Sequence, residues 1–355
     1  MRIVYFFILM FCINSSASAA VVLQYHHVSN KTPASTSIDP KLFLQHLQYL
    51  EDQKFTVVAL PELVELLKDK KPLPDRTVAI TFDDAYTSVY ENAFPALKKR
   101  GWPFTIFINT EPHEKKRQGF ASWDQLREMA KHGVTIANHT VSHPHMVRLQ
   151  AGETEKDWQQ RIEREISDAQ TLIEKEIGQK HKLLAYPFGE YDARVNALVR
   201  SLNFVAFGQQ SGPLQASEGL WSLPRFPFGG SYGDLKDFAM KVNTLPFPVV
   251  KYRSWSNPDA KSALKDDTLI AGNRPLLELE FEDEKLAAGV RCFVSGQGAA
   301  ALAVAGKRVR AHANNELKAG RTRYNCTAPA GEGRFYWYSR QWLVTDRNGQ
   351  WQHEG

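Results

Sequence analysis

Short apolar runs alternate with longer amphipathic stretches from Val21 to about Phe228. The runs cover residues 21–27, 77–82, 104–109, 134–138, 182–188, 204–207 and 221–226. They are rich in Val, Ile and Phe, and their length suits strands buried on both faces of a parallel sheet. Between them lie helix patterns. Residues 155–178 set Ile162, Ile166, Ile173 and Ile177 on one stripe among charged neighbours, and Gly178 supplies a stop. Residues 86–100 and 122–132 read as further helices, the second opened by Ser122 with Gln125 three positions on. Residues 55–60 form an extra short strand expected to lie outside the main sheet. Such alternation predicts a parallel sheet covered by helices, either open or closed into a barrel. Seven strands at this spacing suit the barrel better.

The pattern changes after about residue 245. Pro246, Pro248 and Pro258 punctuate a segment that reads as a linker over 251–265. Beyond it the helical stripes disappear. Short strand-like pieces at 276–281, 289–295, 300–304 and 333–344, with Gly and Asn between them, predict a small antiparallel β-sandwich over 266–355. The first residues are different again. Arg2 precedes an apolar run over 3–13, followed by Asn14-Ser15-Ser16 and the small residues Ala17-Ser18-Ala19. This is the form of a signal peptide cleaved after Ala19, and the run falls short of the ~18 apolar residues of a membrane span. The expected division is therefore 1–19 signal peptide, 20–250 barrel, 251–265 linker and 266–355 sandwich, in an exported protein that is periplasmic or secreted.

Composition narrows this further. Across 355 residues, 44 Lys+Arg against 39 Asp+Glu give a net charge of +5, and no basic run exceeds three residues. Neither a nucleic-acid footprint nor a polybasic membrane anchor is present. Of the 3 cysteines, Cys12 leaves with the signal peptide. Cys292 and Cys326 remain, and in an exported chain two thiols favour a disulfide over a metal pair. They fall in two strands of the predicted sandwich and would staple its sheets. The barrel is left without a thiol, so any metal in it must rest on carboxylate and imidazole.

Three motifs carry candidate chemistry, each at the end of a strand. Thr81-Phe82-Asp83-Asp84 places two adjacent carboxylates where a sheet ends in a buried mouth, a costly arrangement unless a cation or proton offsets it. The alternative is that one Asp caps the next helix and the other is solvated. His139 and His143 stand four apart and can take one metal together with a carboxylate, or serve surface and capping roles. His132 and His145 nearby are given no role. Tyr186-Pro187-Phe188-Gly189 follows a third strand. In a barrel these ends share the rim on which active sites are built.

Thr81-Phe82-Asp83-Asp84, His139-Thr140-x-x-His143-Pro144 and Ala185-Tyr186-Pro187-Phe188-Gly189 together resemble the first three motifs of the polysaccharide deacetylases, carbohydrate esterase family 4. The likeness covers about residues 21–245. It implies a distorted (β/α)7 barrel in which Asp84, His139 and His143 bind a divalent metal, usually zinc, with cobalt or nickel as substitutes. It also implies that Asp83 is the catalytic base and that the backbone N–H of Phe188 helps hold the oxyanion. The reaction implied is hydrolysis of an N-acetyl group on an N-acetylglucosamine-containing glycan by a monomeric enzyme, with acetate and a free amine as products. An O-acetyl glycan esterase with the same site, or a weakly active carbohydrate-binding relative, are the alternatives.

The sequence departs from the family twice. Its third motif begins with Ala185 where the family usually has an Arg that orients the base. The late Leu-x-His is absent, because after His181 the next histidine is His312. Val22-Leu23-Gln24-Tyr25-His26-His27-Val28 is similar to the Tyr-His signature of the exopolysaccharide (poly-N-acetylglucosamine) deacetylase branch, which would make His26 the general acid; otherwise it is a satisfied rim histidine. His27 should face the other side of its strand. Arg225, in Leu223-Pro224-Arg225-Phe226-Pro227, can fork onto Asp83 or pair with surface acids. Sugar sites use aromatic faces. Tyr186, Pro187 and Trp221 are the substrate-binding candidates, while Trp102, Phe120, Trp123, Tyr191 and Phe228 are as readily core. Residues 335–338 and Trp342 would bind glycan or fill the sandwich.

Overall fold

The computed structural model describes residues 19–215, 219–265, 269–271 and 274–351. The signal peptide expected over 1–19 falls, apart from Ala19, outside the described residues. No helix among those described is long and apolar enough to cross a membrane.

Six of the seven expected strands form at their runs, and the seventh, expected over 221–226, is shifted to share only Phe226 with its run. They are β1 (Ala20–Tyr25), β3 (Thr77–Asp83), β4 (Thr105–Ile108), β5 (Thr135–Asn138), β6 (Leu183–Ala185), β7 (Val205–Phe207) and β8 (Phe226–Pro227). They lie in the order β8-β1-β3-β4-β5-β6-β7, every pair parallel. Leu223 bridges Phe207 just before β8 pairs with β1, so the segment leading into β8 draws β7 and β1 together into a distorted barrel. One expectation is corrected. The short strand β2 (Thr56–Val57) belongs to this sheet, with Thr56 opposite Thr77 and Val57 opposite Val78. On β3, β4 pairs only with Thr81–Asp83, which leaves backbone groups on the lower edge of β3 for β2 to satisfy.

Strand alternation sorts side chains to two faces. Ala20, Val22, Ala79, Phe107, Ala137, Ala185 and Phe207 pack in one cluster, joined by Leu60, Leu63, Val64 and Leu67 of α2 (Leu60–Lys68). Val21, Leu23, Tyr25, Val78, Ile80 and Phe82 pack in another, with Phe43, Leu47 and Leu50 of α1 (Pro40–Asp52). Continued upward, the first face presents Gln24 and His26, Thr81 and Asp83, and His139 at the rim. The site is thus an extension of the barrel's packed interior.

The helices follow their signals. α6 (Glu155–Ile177) ends at Gly178 in the left-handed region (φ 80°), and α5 (Trp123–Lys131) opens on a reciprocal Ser122–Gln125 capping box. Residues 86–100 divide instead of forming one helix. A π-turn over Val89–Ala93 gives way to α3 (Phe94–Arg100), because Pro95 offers no N–H to continue the earlier ladder.

Beyond the barrel's last helix, α8 (Leu235–Val242), two sheets follow. One contains β9 (Leu245–Pro246), β11 (Leu269–Ala271), β13 (Arg291–Val294), β14 (Gly298–Ala299), β17 (Gly320–Gly331) and β18 (Arg334–Thr345); the other contains β10 (Val249–Trp255), β12 (Leu276–Phe281), β15 (Ala301–Ala305) and β16 (Arg308–His312). Leu277, Leu279 and Val309 of the second share an apolar cluster with Val294, Tyr324, Cys326 and Trp342 of the first, as in a sandwich. Two details differ from expectation. β10 takes the first part of the expected linker into a sheet, pairing antiparallel with β12. Cys292 and Cys326 do form a disulfide, but they lie opposite each other on β13 and β17, with Cα atoms 4.0 Å apart. The bond therefore ties neighbouring strands of one sheet and does not staple two sheets.

These sheets dock on the barrel. β9 pairs with β18, Trp337 meets Phe226 edge-on at 5.2 Å, and Arg334 forks onto Asp75 at 2.8 and 3.0 Å.

Candidate active site

Asp83 is the last residue of β3 and its carboxylate is fully buried. Arg225 grips it with a two-point fork, Nη1 to Oδ1 at 2.7 Å and Nη2 to Oδ2 at 2.8 Å. Gln24 Nε2 donates to Oδ2 at 2.6 Å, and His26 Nε2 stands 3.9 Å from the same oxygen. Burial pushes the Asp83 carboxyl upward. The charges of Arg225 and His139, the Arg225 hydrogen bonds and His26 outweigh it and hold the group far below the usual carboxylate range. Arg225 is itself fully buried, with Nε donating to Gly208 O at 3.0 Å and Nη1 to Thr81 Oγ1 at 3.3 Å. Of its two sequence readings, the fork on Asp83 is the one observed.

The chain then turns sharply. Asp84 (φ 69°) and Ala85 (φ 54°) are both left-handed, so consecutive carboxylates diverge: Asp83 stays in the barrel mouth while Asp84 swings toward two histidines. Asp84 Oδ1 is 3.6 Å from His139 Nε2 and 3.8 Å from His143 Nε2. One ligand atom from each of the three residues fits within a 4.8 Å cluster. His139 Nδ1 donates to Ala185 O at 2.7 Å, which fixes the tautomer and leaves Nε2 as a lone pair facing Asp84. His143 does not lie on a helical turn, as i and i+4 spacing suggested. Thr140 (φ 71°) and His143 (φ 58°) bend the segment, braced by Thr140 N–H on Asn138 Oδ1 at 2.8 Å and His143 N–H on Thr140 Oγ1 at 3.1 Å. Burial first, and then the neighbouring His139, press the His143 imidazole down to about 4 against the pull of Asp84, so it is neutral and able to ligate at pH 7. One carboxylate oxygen and two imidazole nitrogens are a donor set that fits zinc, cobalt or nickel.

Four left-handed non-glycine residues (Asp84, Thr140, His143 and Phe188) fall in the three motifs, and a fifth, Ala85, directly follows the first. Backbone strain collects where the side chains must converge.

The family profile of the polysaccharide deacetylases matches residues 70–207, a span that contains Asp83, Asp84, His139, His143 and Phe188. The chain carries a polysaccharide deacetylase domain. It is 29% identical over 206 residues to YxkH of Bacillus subtilis (strain 168), provisionally named a polysaccharide deacetylase; the match covers 58% of this chain and 69% of that one. It is 24% identical over 262 residues to the poly-β-1,6-N-acetyl-D-glucosamine N-deacetylase of Escherichia coli (strain K12), covering 63% of this chain and only 38% of that enzyme. Among solved structures it resembles IcaB from Ammonifex degensii, with 25% identity and a TM-score of 0.56 over 63% of this chain and 97% of that one.

Several parts of the deacetylase domain's rim escaped the sequence. Gln24 was legible only as a polar residue on the inward face between Val22 and His26. Its carbonyl Oε1 is buried with no hydrogen-bond partner among the described residues. Tyr86 packs face to face on His27 at 3.5 Å and against Phe120 at 5.0 Å. Its hydroxyl bonds Asp84, and burial, followed by the Asp84 charge, pushes its pKa well above the usual tyrosine range. His27 thus faces away from the base, as alternation required. His145 is far from idle. It stacks on Phe188 at 3.8 Å and donates from Nδ1 to the buried Glu190 at 2.8 Å, which steadies the third-motif turn beside His143.

The substrate-binding candidates are corrected. Tyr186 is fully buried, its hydroxyl bonded to Trp221 O at 2.7 Å and Asn196 at 2.9 Å, and Pro187 is buried with it. Trp221 packs against the outer cluster of Trp158, Ile162 and Leu198, with Arg200 over its ring at 4.7 Å. The two buried residues present no face to a sugar, and the half-buried Trp221 has its ring covered by Arg200. Of the remaining aromatics, Phe120 reaches the site through Tyr86, whereas Phe228 is core.

Proposed function

We propose that this protein is a metal-dependent hydrolase that removes acetyl groups from the N-acetylglucosamine units of a polysaccharide or oligosaccharide. The observation that carries this reading is the buried Arg225–Asp83 fork set directly beside the Asp84–His139–His143 cluster. The activities named for the Escherichia coli relative and for the family point the same way. Asp84, His139 and His143 would hold a divalent cation, zinc first among the candidates; when bound, it polarises the acetamide carbonyl and acidifies the attacking water.

The remaining steps belong to this chain's side chains. Asp83 Oδ2 already accepts from Arg225 and Gln24, whereas among the described residues Oδ1 accepts from Arg225 alone. The free lone pair on Oδ1 takes the water proton. As the C–O bond forms and the C–N bond breaks, the acetyl group leaves as acetate. His26, partly exposed and beside Asp83, gives its proton to the departing amine. The Phe188 N–H, in a turn on which His145 stacks, would serve as a donor to the developing oxyanion. The disulfide supports action outside the cytoplasm.

The test is acetate release from chitooligosaccharides, β-1,6-linked N-acetylglucosamine oligomers, peptidoglycan fragments and O-acetylated xylan, with zinc or cobalt added and with chelator. Release from the amide substrates, abolished by chelator and restored by metal, is the expected result. Release from O-acetylated xylan alone would make the protein an esterase; no release from any substrate would overturn the reading.

A further inference from the structure

The C-terminal sheets reach the catalytic rim. Arg321 and Arg323 of β17 both grip one residue, Gln209, in the loop that follows β7. Arg321 Nη1 donates to Gln209 Oε1 at 2.7 Å, and Arg323 Nη1 donates to Gln209 O at 2.5 Å. The two chain neighbours of Gln209 hold Arg225. Gly208 O accepts its Nε at 3.0 Å, and Gln210 O accepts its backbone N–H at 3.0 Å. Arg225 in turn forks the base. On its other side the same contact presses on the third motif: a Cβ at Gly189 would sit 2.6 Å from Arg321 Nη1 and 2.6 Å from Gln209 Cβ and Cγ. Gly189 (φ 66°) directly follows Phe188.

We infer that Arg321 and Arg323 are positioning residues of the deacetylase site, through which the C-terminal sheets hold Gln209 and so fix both Arg225 and the Phe188 turn. The inference rests on the proposed deacetylase reading. The loop carries only single backbone bonds, Gly208 N–H to Leu223 O and Arg225 N–H to Gln210 O, and without a ladder it can shift unless its remaining groups are gripped too. A two-point fork on a carboxylate transmits such a shift directly, and a displacement of ~1 Å can cost about 10²-fold in rate. The competing explanation is that these arginines only dock the sheets, as Arg334 does on Asp75. Asp75 stands before the N-terminal end of β3, at the opposite end of the strand from Asp83.

The experiment compares Arg321→Met, Arg323→Met and Arg334→Met in the full, metal-loaded chain. Acetate release from a short N-acetylglucosamine oligomer, metal stoichiometry and backbone hydrogen exchange are measured for each. We expect Arg321→Met and Arg323→Met to lower kcat about 10- to 100-fold with KM and metal content little changed. Residues 186–190 and 205–212 should exchange faster in both. Arg323→Lys should recover part of the rate, since it restores the charge without the planar fork. Arg334→Met should leave kcat and exchange at those segments close to wild type. Unchanged kcat and exchange in the two rim variants would overturn the inference, as would an equal loss of kcat in Arg334→Met. Should the arginine variants fail to fold, Gln209→Ala removes the acceptor of Arg321 with both arginines in place, and the same exchange pattern decides. A wild-type protein that released no acetate from any substrate would sink the deacetylase reading, while the exchange data would still judge the brace.

Discussion

Replacing Arg225 by Met removes the fork from Asp83 while leaving a side chain of similar length. The carboxylate would then be buried with the Gln24 donor, His139 and His26 near it and no fixed cation. Breaking a buried ion pair on one side costs about 3–5 kcal/mol, because the remaining charge is uncompensated. At ~2–4 °C per kcal/mol for a domain of this size, the melting temperature should fall by roughly 6–20 °C near neutral pH. The pH dependence gives the sharper check. In the wild type the Asp83 carboxyl is held far below its ordinary value, so its contribution is full above the unfolded-state pKa and is lost only in strong acid. In the variant burial dominates and the pKa rises above the ordinary value. The charged group then costs stability at neutral pH, and that cost fades as the pH falls and the group takes up a proton. The gap in melting temperature between the two proteins should therefore be widest at pH 7–8 and narrow steadily toward pH ~4. Thermal denaturation of chelator-treated protein across this range measures it. Acetate release by metal-loaded protein should fall at least ~10²-fold, with a further tilt toward higher pH as the base is ionised later. Arg225→Lys should recover much of the stability but little of the rate, since a point charge cannot hold both carboxylate oxygens. A pH-independent gap, or a variant with near wild-type turnover, would refute the reasoning.

Asp83→Asn should retain metal in a stoichiometry assay and lose turnover by at least ~10²-fold, whereas His139→Ala should lose both; an Asn variant with normal activity would show that another group is the base. His26→Ala should lower kcat by about 10²-fold with KM little affected on an amide substrate, and an unchanged rate would remove it as the acid. Replacing Cys292 and Cys326 by Ala, which opens a link across 34 residues of sequence, should cost about 2–5 kcal/mol in denaturant unfolding; no loss would mean the cross-link does not restrain the unfolded chain.

Local physics made much of this protein legible. The seven strands, the α6 stripe ending at Gly178 and the Ser122–Gln125 box each depend on residues a few positions apart. The same holds within each motif, since Asp83 and Asp84 are adjacent at one strand end and His139 and His143 stand four apart at another. Breaks in those patterns had local causes too, as with Pro95 at the start of α3. The sequence alone therefore determined an alternating parallel sheet covered by helices and an antiparallel appendage, while closure into a barrel and the candidate metal ligands came from the resemblance of its motifs to a family.

Tertiary structure decided who meets whom. Arg225 forks a carboxylate 142 positions earlier, Gln24 reaches one 59 positions later, and Ala185 offers a carbonyl to His139 where the family places an arginine. None of these pairings has a periodicity to read, because each is fixed by where the barrel closes. Closure also turned Tyr186 and Trp221 away from the rim, since a side chain at a strand end can face either the mouth or the helix layer. The meeting of Arg321 and Arg323 with Gln209 joins the C-terminal sheets to a barrel loop. Their strand alternates like any other, and only the docking of one sheet on one loop places two arginines behind an active site.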